Sequence, residues 1–138
     1  MYNGSWSIVR MSGPFCLLVR NGERENILQK RFKKHAQAYG ELFRIVQYLS
    51  SLDYESCIAV GFDGRYFDTI RADGDLSLIE IRVRNTLWRV IAYWVRDRRM
   101  IVVLDAFEAH KHKSMFEMVK VVTPKLLIVD ELLERGLM

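Results

Sequence analysis

Residues 79–94, IEIRVRNTLWRVIAYW, alternate apolar and polar side chains on both sides of Asn85-Thr86. Successive side chains of a strand point to opposite faces, so the pattern fits two strands joined by a two-residue turn. That turn sets the register. Val83 meets Trp88, Arg82 meets Arg89, Ile81 meets Val90 and Ile79 meets Ala92. One face carries Ile79, Ile81, Val83, Trp88, Val90, Ala92 and Trp94, and it has to be covered by helices. The other face carries Glu80, Arg82, Arg84, Arg89, Ile91 and Tyr93. A slip of one residue would turn the arginines into the core, which pins the pairing. It also sets two like charges opposite each other, an arrangement that ordinarily destabilises a sheet. Either Glu80 and Asp105 neutralise the pair, or the pair holds an anion such as phosphate through charge-assisted bonds. Tyr93 on that face could stack on a base or assist proton transfer.

The rest of the chain is read around this hairpin. Strands are expected at 76–84, 87–95 and 100–107, with Asp97-Arg98-Arg99 as the second turn. A three-residue second turn puts Asp105 on the arginine face and spares it burial without a partner. Gly13-Pro14 separates two apolar stretches in residues 5–20, which predicts an N-terminal strand pair. Residues 25–52 place Leu28, Phe32, Tyr39, Leu42, Phe43, Val46 and Leu49 at helical spacing, with Gly40 a point of division. Lys30, Arg31, Lys33 and Lys34 crowd its first half, either as a solvated face or as phosphate contacts. CIAVGF reads as a short strand, and GFDGRYFDTIRADGD as loop. Thr123-Pro124 predicts the start of a last helix, with threonine as cap and proline in the first turn. Leu126, Leu127, Val129, Leu132 and Leu133 give that helix an apolar side, and Gly136 stops it.

The expected fold class is α+β. A small antiparallel or mixed sheet carries N-terminal helices on one face, with a C-terminal helix, in a single domain spanning 1–138. The composition agrees: half of the residues are apolar and 28% are charged, which is ordinary for a globular chain. The two cysteines, Cys16 and Cys57, are too few for a disulfide framework. No leader pattern and no apolar run of about 20 residues occurs, so a cytoplasmic protein without membrane contact is expected. The net charge of +4 permits an anionic partner. His110 and His112 flank Lys111 in AHKHK. Without a third ligand this is not a zinc pattern, and no metal or cofactor is expected. The two histidines are either a general acid and base or ordinary surface residues.

Glu80-Ile81-Arg82, then WRVIAY at 88–93, then VLDAF at 103–107 and a basic segment after it, resemble the RelE/ParE toxin superfamily. The likeness is to its HigB branch, the phage-type toxins of type II toxin–antitoxin systems. It covers about residues 25–120, and it implies a RelE-like fold. It also implies a metal-independent endoribonuclease that cuts mRNA on the ribosome, the 2′-hydroxyl attacking the adjacent phosphodiester. By this resemblance Arg82 and Arg89 make phosphate or transition-state contacts, with Tyr93, His110 and His112 completing the catalytic set. Lys30, Lys33, Lys34, Arg84, Lys111 and Lys113 contact RNA phosphates. The implied partners are a cognate antitoxin of helix-turn-helix type, the ribosome and mRNA, and operator DNA only through the antitoxin. Two other classes stay open: a ParE-like inhibitor of gyrase, and an interaction protein that keeps the fold without the chemistry.

Overall fold

The hairpin forms in the register that its alternation dictates. In the computed structural model, which describes residues 4–73, 76–109 and 115–137, strand β4 (Leu76–Arg82) pairs antiparallel with β5 (Trp88–Val95). Arg82 faces Arg89, Ile81 faces Val90 and Ile79 faces Ala92. The turn is wider than two residues. Asn85 takes φ +63°, the Thr86 hydroxyl donates to Val83 O at 2.7 Å, and Trp88 N donates to Thr86 Oγ1 at 3.0 Å. The hydroxyl stands in for a missing backbone rung, so the register survives the wider loop.

Around this hairpin lie β1 (Trp6–Ser12), β2 (Phe15–Arg20), β3 (Phe67–Asp73) and β6 (Met100–Glu108). Together they make a mixed six-stranded sheet in the order β1-β2-β6-β5-β4-β3. The N-terminal strand pair turns at Gly13-Pro14 as expected, and β2 then runs parallel to β6. Helices α1 (Ile27–Arg31), α2 (Ala36–Ser50) and α3 (Tyr54–Asp63) connect β2 to β3. They bury Leu28, Phe32, Leu42, Val46, Leu49 and Cys57 in the same core as Ile81, Val83, Trp88 and Val90. The face marked as apolar in the sequence is therefore the helix-covered one.

Three expectations need correction. The helical region 25–52 divides at residues 32–35, not at Gly40, because Asn26 closes a capping box with Gln29 and α2 starts afresh at Ala36. CIAVGF is the body of α3, not a strand; Asp53 caps that helix by accepting from Ser56 N at 2.9 Å. Phe67–Asp73, expected as loop, is strand β3, with Phe67 buried against α3.

The last helix, α4 (Met115–Glu134), changes the picture of the second sheet face. It begins eight residues before Thr123, and Pro124 lies inside it. Thr123 is not a cap: its hydroxyl bonds back to Val119 O at 2.7 Å. Gly136, with φ +71°, ends the helix, Leu137 N reaching Leu132 O at 2.9 Å, which is the Schellman pattern. Met118, Val122, Leu126, Val129, Leu132 and Leu133 pack on Ile91, Tyr93, Val102 and Leu104; Leu127 points outward. The face that carries the arginines is thus a second core over much of its length, and among the described residues it is open towards the β4–β5 turn.

Candidate functional site

The arginine pair is held by a lattice of alternating charge. On the same face, one rung away, Asp68 of β3 stands opposite Glu80 of β4. Arg82 Nη2 lies 2.6 Å from Asp68 Oδ2, Arg82 Nε is 3.5 Å from Glu80, and Arg89 Nε is 3.5 Å from Glu80. Each like-charge rung is thus neutralised along the diagonals by the other. The arginine side chains keep 47% and 23% of their exposure. A guanidinium carries five N–H donors, so both retain donors beyond these contacts. Asp68 was missed because its strand reads as a polar loop.

Asp105, expected to help neutralise this pair, does something else. It does lie on the arginine face, opposite Ile91, but the β5–β6 turn leaves four residues, 96–99, between Val95 and Met100, and a bulge rather than a three-residue turn sets that face; the side chain has no exposure. The pairing of β2 with β6 stops at Leu17 and Val103, and β6 bulges just beyond. Into that opening Arg31 reaches from α1 and Lys125 from α4. Arg31 donates to both carboxylate oxygens at 2.8 and 3.2 Å, Lys125 at 3.1 Å, and Ala106 N at 2.8 Å. Burial pushes the Asp105 pKa up. The Arg31 hydrogen bonds and the Lys125 and Arg31 charges more than offset that, leaving the carboxyl below its ordinary value. No local signal announces a contact across 74 residues of chain.

Tyr93 is not available for stacking on a base. It is 4% exposed under α4, and its hydroxyl lies 2.7 Å from Asp130. Arg84 leaves the arginine face as well: its guanidinium stacks 3.9 Å over the Tyr66 ring and bonds to Gly64 O. Lys30 and Lys33 pair with Glu23 and Glu25, on the solvated side of the α1 region. His110, Lys111, His112 and Lys113 lie outside the described residues. The chain leads to them from Ala109, whose N–H bonds to Leu87 O at 2.7 Å. Cys57 is no nucleophile, since burial pushes its thiol up to about 11.

A cleft of about 600 Å³ opens between the α1–α2 junction and the β4–β5 turn. It brings together Lys34, Arg44 and Arg84, the His35 ring, the polar turn Asn85-Thr86, and Leu87. Glu41 and Glu108 are its acids, and Glu41 is bonded to Arg44 at 2.9 Å. His35 does not cap α2; its ring sits edge-on to Trp88 at 5.0 Å. Of the expected site residues, the structure groups Arg82 with Arg89, and Lys34 with Arg84. These two groups flank the β4–β5 turn. Arg44 was not picked out by sequence, because it lies on a helix face without a basic run.

No family model, curated protein or solved structure matches this chain.

Proposed function

We propose that this chain is a RelE-fold toxin of the HigB branch, a metal-independent endoribonuclease that cuts mRNA during translation. One observation carries the reading. The β4–β5 hairpin brings Arg82, Arg84 and Arg89 to one end of the sheet, with Lys34 of the α1–α2 junction and Arg44 of α2 beside its turn. RNA cleavage through the 2′-hydroxyl needs positive groups that hold the phosphate and oppose its developing charge. In this reading Arg82 and Arg89 fill that role, their orientation fixed by Glu80 and Asp68. His110 and His112 supply proton transfer, with Lys111 and Lys113 as further RNA contacts. Tyr93 is withdrawn from the catalytic set and becomes a core residue. The element order, a strand pair, three helices, a four-strand meander and a last helix, contains the helices and the β4–β6 strands on which the resemblance rests. The partners follow the same reading: ribosome, mRNA, and an antitoxin that covers the basic end.

The test is induced expression in a bacterial host with mRNA 5′ ends mapped soon after induction. New ends clustered inside translated codons are expected, absent in Arg82→Ala and Arg89→Ala variants that remain folded. Growth arrest without such ends would transfer the reading to gyrase inhibition. A second reading has its own support: the balanced lattice of Asp68, Glu80, Arg82 and Arg89 is what a non-catalytic interaction protein would keep. Neither arrest nor cuts from folded protein would select it.

A further inference from the structure

The cleft beside the β4–β5 turn faces away from the Arg82–Arg89 lattice and is not needed for it. We infer that it is a separate binding site for single-stranded RNA, seating one nucleotide away from the scissile bond. This rests on the ribonuclease reading for its purpose but not for its test.

The volume of about 600 Å³ lies within the range of small-ligand sites, and it is large enough for a nucleotide. Three cationic side chains converge on it from three places: Lys34 before α2, Arg44 about two turns into that helix, and Arg84 at the hairpin. One of them is already oriented: Arg84 is fixed on Tyr66 and Gly64 O, while Arg44 is an exposed side chain beside Glu41. A phosphate would therefore meet one guanidinium whose side-chain ordering is in part complete, which lowers the cost of binding. Glu41 and Glu108 offset much of the positive charge, so the site suits one phosphodiester better than a dense run of phosphates. For the base, the cleft offers the exposed His35 ring and Leu87, which is 45% exposed. Stacking on such a ring tolerates any base. The Asn85 amide adds both a donor and an acceptor.

Nothing here suits a duplex, whose phosphates lie along two separate backbones. Nor does the cleft suit an apolar ligand, since its lining is mostly polar or charged. One phosphate neutralised on a single strand predicts a log–log salt slope of about −0.7.

The experiment measures anisotropy of a labelled single-stranded oligoribonucleotide, 2′-O-methylated so that it cannot be cut, against salt. Lys34→Ala combined with Arg44→Ala removes two contacts at exposed positions. The expected result is weakening by about tenfold or more, with most of that slope lost. The melt should be unchanged. Arg135→Ala removes the same kind of charge at the opposite end of the molecule and should bind as wild type. Wild-type affinity and slope in the double variant, or no RNA binding by wild type, would overturn the inference. So would an equal loss in Arg135→Ala, which would mean attraction by net charge alone. Weakened binding in the double variant while wild type makes no cuts in cells would keep the cleft and remove the ribonuclease. Cuts in cells with unaltered binding by the double variant would do the reverse.

Discussion

Arg82 and Arg89 can stand opposite each other because the neighbouring rung, Asp68 and Glu80, has the opposite sign. Removing Arg89 leaves Arg82 beside both carboxylates, and removing Arg82 leaves Arg89 on Glu80. Each single alanine variant should therefore cost less than about 1 kcal/mol, as partly exposed pairs do. The double variant leaves Asp68 opposite Glu80 uncompensated, and denaturant melts should show it losing more than the two singles combined. Asp105 is a different case, because its charge is fully buried. Breaking a buried pair costs about 3–5 kcal/mol, and Asp105→Asn should lose that much near neutral pH. Its pKa is depressed in the folded state, so the native protein binds fewer protons than the unfolded chain as pH falls. The contribution is complete above the unfolded carboxylate pKa, about 4, and is lost as pH drops through the folded value. The gap in melting temperature between wild type and Asp105→Asn should narrow below that pH. A gap constant from neutral pH to strong acid would show that Asp105 is not ionised in the fold. The register of the arginine pair was legible because period-2 alternation leaves one choice once a face must be buried. Asp105's partners were not, because nothing local encodes where α1 and α4 meet β6.

At the scale of elements, what could be read followed what the local pattern determines. The N-terminal pair and the meander have alternation and turn residues that agree. Strand β3 has both Phe67 and Asp68, but it sits among Gly64, Asp63 and Asp73, and composition outweighed its alternation. For α3, the missed signal was Asp53, a helix cap with a bonded Ser56 N–H three residues on. Thr123-Pro124 misled because a cap followed by proline looks the same at a helix start as inside a long helix. The α3–β3 contact gives a sharp test. Gly61 lies against Phe67, and an added Cβ would stand 2.2 Å from its ring. Helix propensity alone would favour Gly61→Ala by about 1 kcal/mol. Overpacking against a buried ring costs about 1–3 kcal/mol and should win, so the variant should melt lower. Trp88→Ala removes a side chain held between Phe32 and His35 and should lose about 3–5 kcal/mol. A wild-type melt for either would mean the helices do not sit on the sheet as described.

For the molecule as a whole, the arginine face had looked like an open sheet with helices on one side only. Ile91 and Tyr93 on that face were the signal that something covers part of it, and α4 does. The apolar side of α4 packs on the sheet, and no helix among the described residues is long and apolar enough to cross a membrane. Leu132→Ala, at a fully buried contact, should cost about 2–5 kcal/mol. A chain ending at Glu108 should expose the whole second core and associate, which size-exclusion chromatography would reveal as elution ahead of the full-length chain. The candidate site was half legible: residue types and the hairpin pointed to one end of the molecule, but the division of its cations between two faces depended on Tyr66, Gly64 and α2.

The parallel joining of β2 to β6 has a consequence for the order in which the chain is made. The strand at the centre of the sheet is the last of the six to be synthesised. Until it arrives, the β1–β2 pair and the β3–β4–β5 group are two fragments with bare inner edges. At roughly 5–20 residues per second, the first pair waits on the order of ten seconds for its neighbour. Within that interval neither fragment can close, and Asp105, when it arrives, precedes its α4 partner Lys125 in the chain. Completion of the molecule is therefore a late and abrupt event, and an unfinished chain holds its arginines on a hairpin without a sheet behind it.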